Sequence, residues 1–116
     1  MKRYVYIFLI FPIISLCQIQ INEFFADNGT CCLDDFDETE DFIEVINLSS
    51  ETIDLAGYYF GDLGGGTIIT DSEPEITTIP SGELKVLWFD SDEEQGPLHI
   101  DANLNSDGET IICVNP

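Results

Sequence analysis

A short acidic segment offers the densest set of potential metal ligands in the chain. Six carboxylates fall within eight residues: Asp34, Asp35, Asp37, Glu38, Glu40 and Asp41. Such groups repel one another unless water or a hard cation lies between them, and oxygen ligands of this kind suit calcium. The segment lacks the ligand spacing and the glycine of an EF-hand loop. The expected calcium ligands are Asp35, Asp37 and Glu40, and the alternative is an acidic loop that only faces solvent.

His99 is the only histidine, so any acid–base or nucleophilic scheme that uses imidazole depends on it. No serine lies in a Gly-x-Ser-x-Gly elbow, and Cys113 ends a predicted strand instead of beginning a helix, where a thiol becomes reactive. No pattern places two carboxylates on opposite walls of a cleft, as a glycosidase requires. The sequence therefore predicts no catalytic residue and no enzyme activity, with His99 in a structural or surface position.

Three cysteines, Cys31, Cys32 and Cys113, follow the first seventeen residues. Adjacent cysteines rarely bridge each other, because the geometry strains the peptide between them. A bond from Cys31 or Cys32 to Cys113 is therefore expected, and we predict Cys32 with Cys113. The alternatives are three unpaired small apolar side chains or a metal site, for which the usual two-residue spacer is missing.

The charge balance excludes whole classes of partner. The chain has 116 residues, enough for one small domain, and Lys85 is the single Lys or Arg after residue 17, against 23 acidic residues. Binding to nucleic acid or to anionic lipid requires clustered Lys and Arg, so neither is expected. A hydrophobic content of 44%, with 11% aromatic residues, is too high for a disordered acidic tail. We therefore expect a folded, strongly acidic domain.

Residues 1–17 have the pattern of a signal peptide, with two cations followed by an apolar run over residues 4–14. This run is about nine residues shorter than the roughly twenty that a membrane-spanning helix needs, so no transmembrane helix is predicted. Residues 18–116 are then secreted or held at the cell surface. In the alternative, a lipoprotein signal, Cys17 carries a lipid anchor; Leu16 is larger than the usual preceding residue, which favours ordinary secretion.

The rest of the chain is predicted to form short strands. Period-two alternation and β-branched residues indicate strands over residues 18–25, 42–48, 52–55, 58–61, 67–70, 83–89 and 109–114. Long acidic loops separate them at residues 26–41 and 90–97, and Pro74 and Pro80 bracket a further short segment. No window has a helical period. About seven to eight short strands at spacings of roughly ten residues predict an all-β sandwich in a single domain.

The order of these motifs closely resembles the lamin-tail domain family. The matching segments are Ile-Asn-Glu-Phe at 21–24, Asp-Phe-Ile-Glu-Val-Ile-Asn at 41–47, Ile-Asp-Leu-Ala-Gly-Tyr-Tyr at 53–59, Thr-Ile-Pro-Ser-Gly at 78–82 leading to Val-Leu-Trp-Phe at 86–89, and Gly-Pro-Leu-His at 96–99 leading to Leu-Asn-Ser-Asp-Gly-Glu at 104–109. The resemblance covers nearly all of residues 19–114. It implies an immunoglobulin-like β-sandwich over residues 18–116.

The resemblance also implies a function. Similar domains of bacterial secreted proteins serve as non-catalytic modules for adhesion or protein interaction, so a protein or envelope component is the expected partner and no cofactor is expected apart from the calcium considered above. One alternative is a calcium-stabilised adhesion domain. Another is an accessory N-terminal module of a truncated secreted hydrolase or spore-coat kinase-like protein. The family normally supplies closing strands beyond the position of Pro116, so a truncated or minimal domain with an unpaired edge is expected.

Overall fold

The computed structural model describes residues 18–116, so the predicted signal peptide and Cys17 lie outside the described residues. As predicted, the regular secondary structure of this part of the chain is mainly β-strand, arranged in several sheets. Its strands are β1 (Ile19–Phe25), β2 (Asp41–Asn47), β3 (Ile53–Asp54), β4 (Tyr59–Gly61), β5 (Gly66–Ile68), β6 (Thr78–Ile79), β7 (Leu84–Phe89), β8 (His99–Ile100) and β9 (Ile112–Val114). A helical turn α1 (Pro74–Thr77) and a 3₁₀ turn (Glu93–Gln95) complete it. None of its helices has the length and apolar character needed to cross a membrane.

The largest sheet has the strand order β1-β2-β7-β8. The first two pairings are antiparallel and the last is parallel. Ile43 lies opposite Leu87, and both side chains are fully buried. Because side chains alternate along a strand, Val45 and Phe89 lie on the same buried face. This face forms one wall of the core.

The remaining strands form a three-stranded sheet, β5-β4-β9, and the pair β3-β6. One buried apolar cluster joins all three sheets: it includes Leu87 from β7, Phe60 from β4, Ile53 from β3 and Ile79 from β6. Each such side chain contributes about 1.5–3 kcal/mol when it leaves water. The core therefore lies between sheets, as in a sandwich.

The segment between Pro74 and Pro80 begins with a helical turn that the sequence analysis did not predict. Pro74 occupies the start of α1, where its missing N–H is not needed. The backbone N–H groups of Ile76 and Thr77 both donate to the carbonyl of Glu73. A single turn is too short to produce a helical period in the sequence, which is why the pattern did not reveal it.

The outer face of the four-stranded sheet carries one aromatic row that ends at a histidine. Phe25 lies opposite Phe42, Phe42 opposite Trp88, and Trp88 beside His99, so the row crosses all four strands. The ring centroids of Phe25 and Phe42 are 5.6 Å apart, and those of Phe42 and Trp88 are 5.5 Å apart. The row ends at His99, which the pairing of β8 with β7 holds at the end of the sheet where residues 26–41 connect β1 to β2.

Candidate functional site

Residues 26–41, which we call the acidic connection, are held in a defined shape by a buried asparagine. The side-chain amide of Asn28 donates to the carbonyls of Cys32 and Glu40, each at 2.9 Å, and its oxygen accepts the N–H of Cys31. The backbone N–H of Asn28 donates to a carboxylate oxygen of Asp41 at 3.0 Å. Both ends of the connection are thereby tied together, as in a compact Ω-loop.

Asp34 organises the tip of the acidic connection. Its Oδ1 accepts the backbone N–H groups of Phe36 and Glu38 at 2.8 and 2.9 Å, an arrangement that aspartate readily forms in turns. Only 7% of the residue is exposed. Its second oxygen, Oδ2, is buried and has no hydrogen-bond partner. A buried carboxylate oxygen without a donor is unfavourable, since it has lost its water.

Two residues from the four-stranded sheet complete a small cluster with Asp34. Asp90 directly follows β7 and His99 begins β8, and Oδ2 of Asp90 lies 2.5 Å from Nδ1 of His99. The other oxygen of Asp90 accepts the N–H of Asp92 at 3.0 Å. One carboxylate oxygen of each aspartate and a ring nitrogen of His99 all lie within 4.8 Å of one another. We call Asp34, Asp90 and His99 the Asp–Asp–His cluster.

The surroundings of this cluster are strongly negative. Burial, followed by the charge of Asp90, raises the pKa of the Glu40 carboxyl. Burial, followed by the charge of Glu94, also raises the pKa of Asp92. Lys85 does not offset these charges, because its Nζ donates to the carbonyl of Ile76 at 2.7 Å, beside α1. The carboxylates at this end of the sheet therefore repel one another.

The second acidic loop, residues 90–97, lies against the acidic connection. Nε2 of Gln95 donates to the Glu38 carboxylate at 2.9 Å, which joins segments 57 residues apart in sequence. Two apolar side chains of the connection stay half exposed, Leu33 at 55% and Phe36 at 51%. We define the acidic face as seven exposed residues of these two segments: Leu33, Asp35, Phe36, Asp37, Glu38, Glu93 and Glu94.

The predicted calcium ligands Asp35, Asp37 and Glu40 are not the residues that form the Asp–Asp–His cluster. Asp35 and Asp37 are exposed on the acidic face, and Glu40 is partly buried beside the cluster. Within residues 18–116 these three do not converge as a ligand group, whereas Asp34, Asp90 and His99 do. No local signal separates Asp34 from Asp35, because each is followed by backbone N–H groups two and four residues later. His99 is buried.

The predicted disulfide between Cys32 and Cys113 differs from the structure. Cys32 is bonded to its neighbour Cys31. Cys113 lies exposed on β9, opposite Phe60 of β4, in a sheet that the acidic connection does not join. The expectation failed because it rested on the rarity of bonds between adjacent cysteines, while the strand pairing that separates Cys113 from the other two is not visible in the sequence.

An open depression adjoins the base of the acidic connection. Its volume is about 550 Å³, and it is lined by Asp27, Asn28, Asp41, Asn103, Leu104, Asn105, Ser106 and Glu109. Three acidic residues and three asparagines therefore line the same open space. The depression suits a cationic group better than an apolar one.

No family model, curated protein or solved structure matches this chain.

Proposed function

We propose that the protein is a non-catalytic, secreted or cell-surface module that binds a protein or envelope component through the acidic face. The partner surface is cationic, with Lys and Arg around an apolar contact. The observation that carries this proposal is that two acidic segments, far apart in sequence, are joined by a hydrogen bond, and that one of them leaves two apolar side chains, Leu33 and Phe36, half exposed. Charged rims around apolar anchors are the usual anatomy of a protein interface.

The acidic connection is suited to binding because it is ordered before a partner arrives. Asn28 and Asp34 fix its backbone by hydrogen bonds to both ends and to the tip. A loop that is already ordered loses little conformational entropy when it binds. Its uniform negative charge also speeds encounters with a cationic surface, an effect that salt weakens.

The depression lined by Asp27, Asp41 and Glu109 supports a cationic partner in particular. A Lys or Arg side chain can place its charge among these carboxylates, where Arg can form paired hydrogen bonds. A partner residue of this kind would anchor the contact next to the acidic face.

Within the same proposal, the chain is an immunoglobulin-like domain of the lamin-tail type. The order of the sequence motifs supports this assignment, as does the placement of the core between sheets. Secretion rests on the sequence pattern of residues 1–17.

The test compares two charge variants of equal size. One neutralises four exposed acids of the face (Asp35→Asn, Asp37→Asn, Glu93→Gln, Glu94→Gln). The control neutralises four exposed acids on other segments (Glu51→Gln, Asp71→Asn, Glu75→Gln, Glu83→Gln). Binding to Lys- and Arg-rich peptides that carry a Leu or Trp anchor is measured by calorimetry at low and physiological salt.

We expect the face variant to bind at least about tenfold more weakly, and the control to change by no more than about threefold. Replacing Leu33 with Ser should weaken binding in a way that salt does not alter, because the lost contact is apolar. Equal losses in the two charge variants would contradict the proposal, since binding would then depend on net charge alone.

A further inference from the structure

We infer that Asp34, Asp90 and His99 form a binding site for a divalent transition metal ion, with zinc as the ion that fits best. This site goes beyond the proposed interaction function and does not depend on it. It also differs from the calcium site expected from the sequence. Neither of its two aspartates was among the predicted ligands, and its third member is a histidine.

The first argument is that three suitable donors converge. Carboxylate oxygens of Asp34 and Asp90 and a ring nitrogen of His99 lie within 4.8 Å of one another. A tetrahedral zinc ion with bonds of about 2.1 Å holds its ligands about 3.4 Å apart, so small side-chain rotations bring these donors to coordination distance. They come from three separate parts of the chain, so bound metal would fasten the acidic connection to the sheet.

The second, independent argument is the buried oxygen of Asp34 that has no donor. Asp34 is 7% exposed, its Oδ1 is already occupied by two backbone N–H groups, and its Oδ2 has no hydrogen-bond partner. A structural aspartate would direct both oxygens to donors. A carboxylate that is held in place by one oxygen and leaves the other buried without a donor is arranged as a metal ligand, since coordination satisfies the second oxygen.

The imidazole of His99 is also held in place as a metal ligand by its neighbours. His99 is 5% exposed, its ring centroid lies 5.8 Å from that of Phe36 with the two rings nearly perpendicular, and its Nδ1 contacts the carboxylate of Asp90. This contact already places two of the three proposed ligands beside each other, and a bound metal ion would displace the proton that they share. The neighbouring carboxylates Glu40 and Asp92 add negative charge that a divalent cation would offset.

The donor set selects among cations. Calcium requires six to eight oxygen ligands and does not favour imidazole, whereas zinc accepts mixed nitrogen and carboxylate ligands in sets of three or four. Zinc also lies near the strong end of the affinity order for divalent first-row metals. A site with one imidazole and two aspartates is therefore expected to bind zinc more tightly than calcium.

The experiment titrates the untagged, chelator-stripped protein with zinc chloride by calorimetry, and with calcium chloride at equal ionic strength. Three variants are compared with the natural protein: Asp34→Asn, His99→Gln and the matched control Asp35→Asn, which removes the same charge from the adjacent, exposed position. We expect one zinc ion per chain in the natural protein and in the control. Asp34→Asn and His99→Gln should weaken zinc binding at least tenfold, and calcium should bind more weakly than zinc.

A second measurement needs no variant. Because the chain contains a single histidine, its imidazole NMR signals belong to His99. Zinc should shift these signals at one equivalent, while calcium should leave them unchanged. The inference is overturned if zinc shows no saturable binding at millimolar concentration, if the imidazole signals do not respond, or if Asp35→Asn lowers affinity as much as Asp34→Asn does.

Discussion

Asn47 and Asp34 are two buried polar residues that differ in how completely their side chains are hydrogen-bonded. Asn47 is fully buried at the end of β2; its Nδ2 donates to the carbonyls of Glu51 and Ile79, and its Oδ1 accepts the N–H and hydroxyl of Ser49. Asp34 has two donors on one oxygen and none on the other. Every polar atom of the neutral Asn47 side chain is therefore hydrogen-bonded, whereas one oxygen of the Asp34 carboxylate is not.

This difference separates a structural role from a binding role. Asn47 joins the end of β2 to the segments that hold Glu51 and Ile79, so its hydrogen bonds define the fold there. The incomplete carboxylate lies toward the opposite end of the same sheet, beside His99. Among residues 18–116, two buried side-chain oxygens have no hydrogen-bond partner, Oδ2 of Asp34 and Oε1 of Gln95. Only Asp34 belongs to a group of potential metal ligands, and since folded proteins satisfy nearly all buried polar groups, its free oxygen indicates where a ligand belongs.

The largest expected effect on stability comes from removing the hydrogen bonds of the Asn47 side chain. Asn47→Ala removes two donors and one acceptor and leaves the carbonyls of Glu51 and Ile79 without these partners. We expect the free energy of unfolding to fall by about 3 kcal/mol, measured by urea denaturation. The matched control is Asn103→Ala, since Asn103 is exposed and its amide donates to Ser91 at the surface; its cost should stay below about 0.5 kcal/mol. Similar losses in the two variants would contradict the structural role of Asn47.

The strands that could be predicted from the sequence are those with long alternation. β1, β2 and β7 are six or seven residues each, and their patterns located them closely. The parallel pairing of β7 with the two-residue strand β8 could not be predicted, because so short a strand has no period and pairing partners are not local. That pairing is what places His99 in the cluster.

The candidate site was predictable only in part, for the same reason. The density of carboxylates indicated a cation-binding segment, but it gave no means to separate Asp34 from Asp35. The difference arises from the turn, which directs Asp34 inward to accept two N–H groups and leaves Asp35 exposed. Asp90 and His99 join the site through sheet pairing, which the sequence does not encode as a motif.

A smaller effect on stability, opposite in sign, is expected at Asp34, whose carboxylate has one oxygen without a donor. Asp34→Asn keeps an acceptor for the N–H groups of Phe36 and Glu38 and removes a buried charge whose second oxygen, Oδ2, lacks a donor. In chelator we expect the free energy of unfolding to rise by about 1 kcal/mol, measured by the same urea denaturation. Asp35→Asn, at the adjacent exposed position, should change it by no more than a few tenths of a kcal/mol. If the free energy of unfolding instead fell by more than about 1 kcal/mol in Asp34→Asn, other groups of the protein would already be balancing the charge of Asp34, and the prediction would be wrong.

The smallest expected effect on stability concerns Asp54, an exposed carboxylate that accepts hydrogen bonds from two donors. The hydroxyl of Thr77, which donates to Oδ1 of Asp54 at 2.7 Å, and then the N–H of Ala56 lower the pKa of Asp54 below its ordinary value of 3.8. A lowered pKa means that this contribution to stability is present above the ordinary value and is lost as the pH falls through the lowered one. Because Asp54 is exposed, the contribution amounts to a few tenths of a kcal/mol. Thr77→Val should raise the pKa of Asp54 in an NMR titration and reduce the stability lost between about pH 5 and pH 2. In an Asp54→Asn background the same substitution should leave that acid dependence unchanged, and a change there would assign the effect to another group.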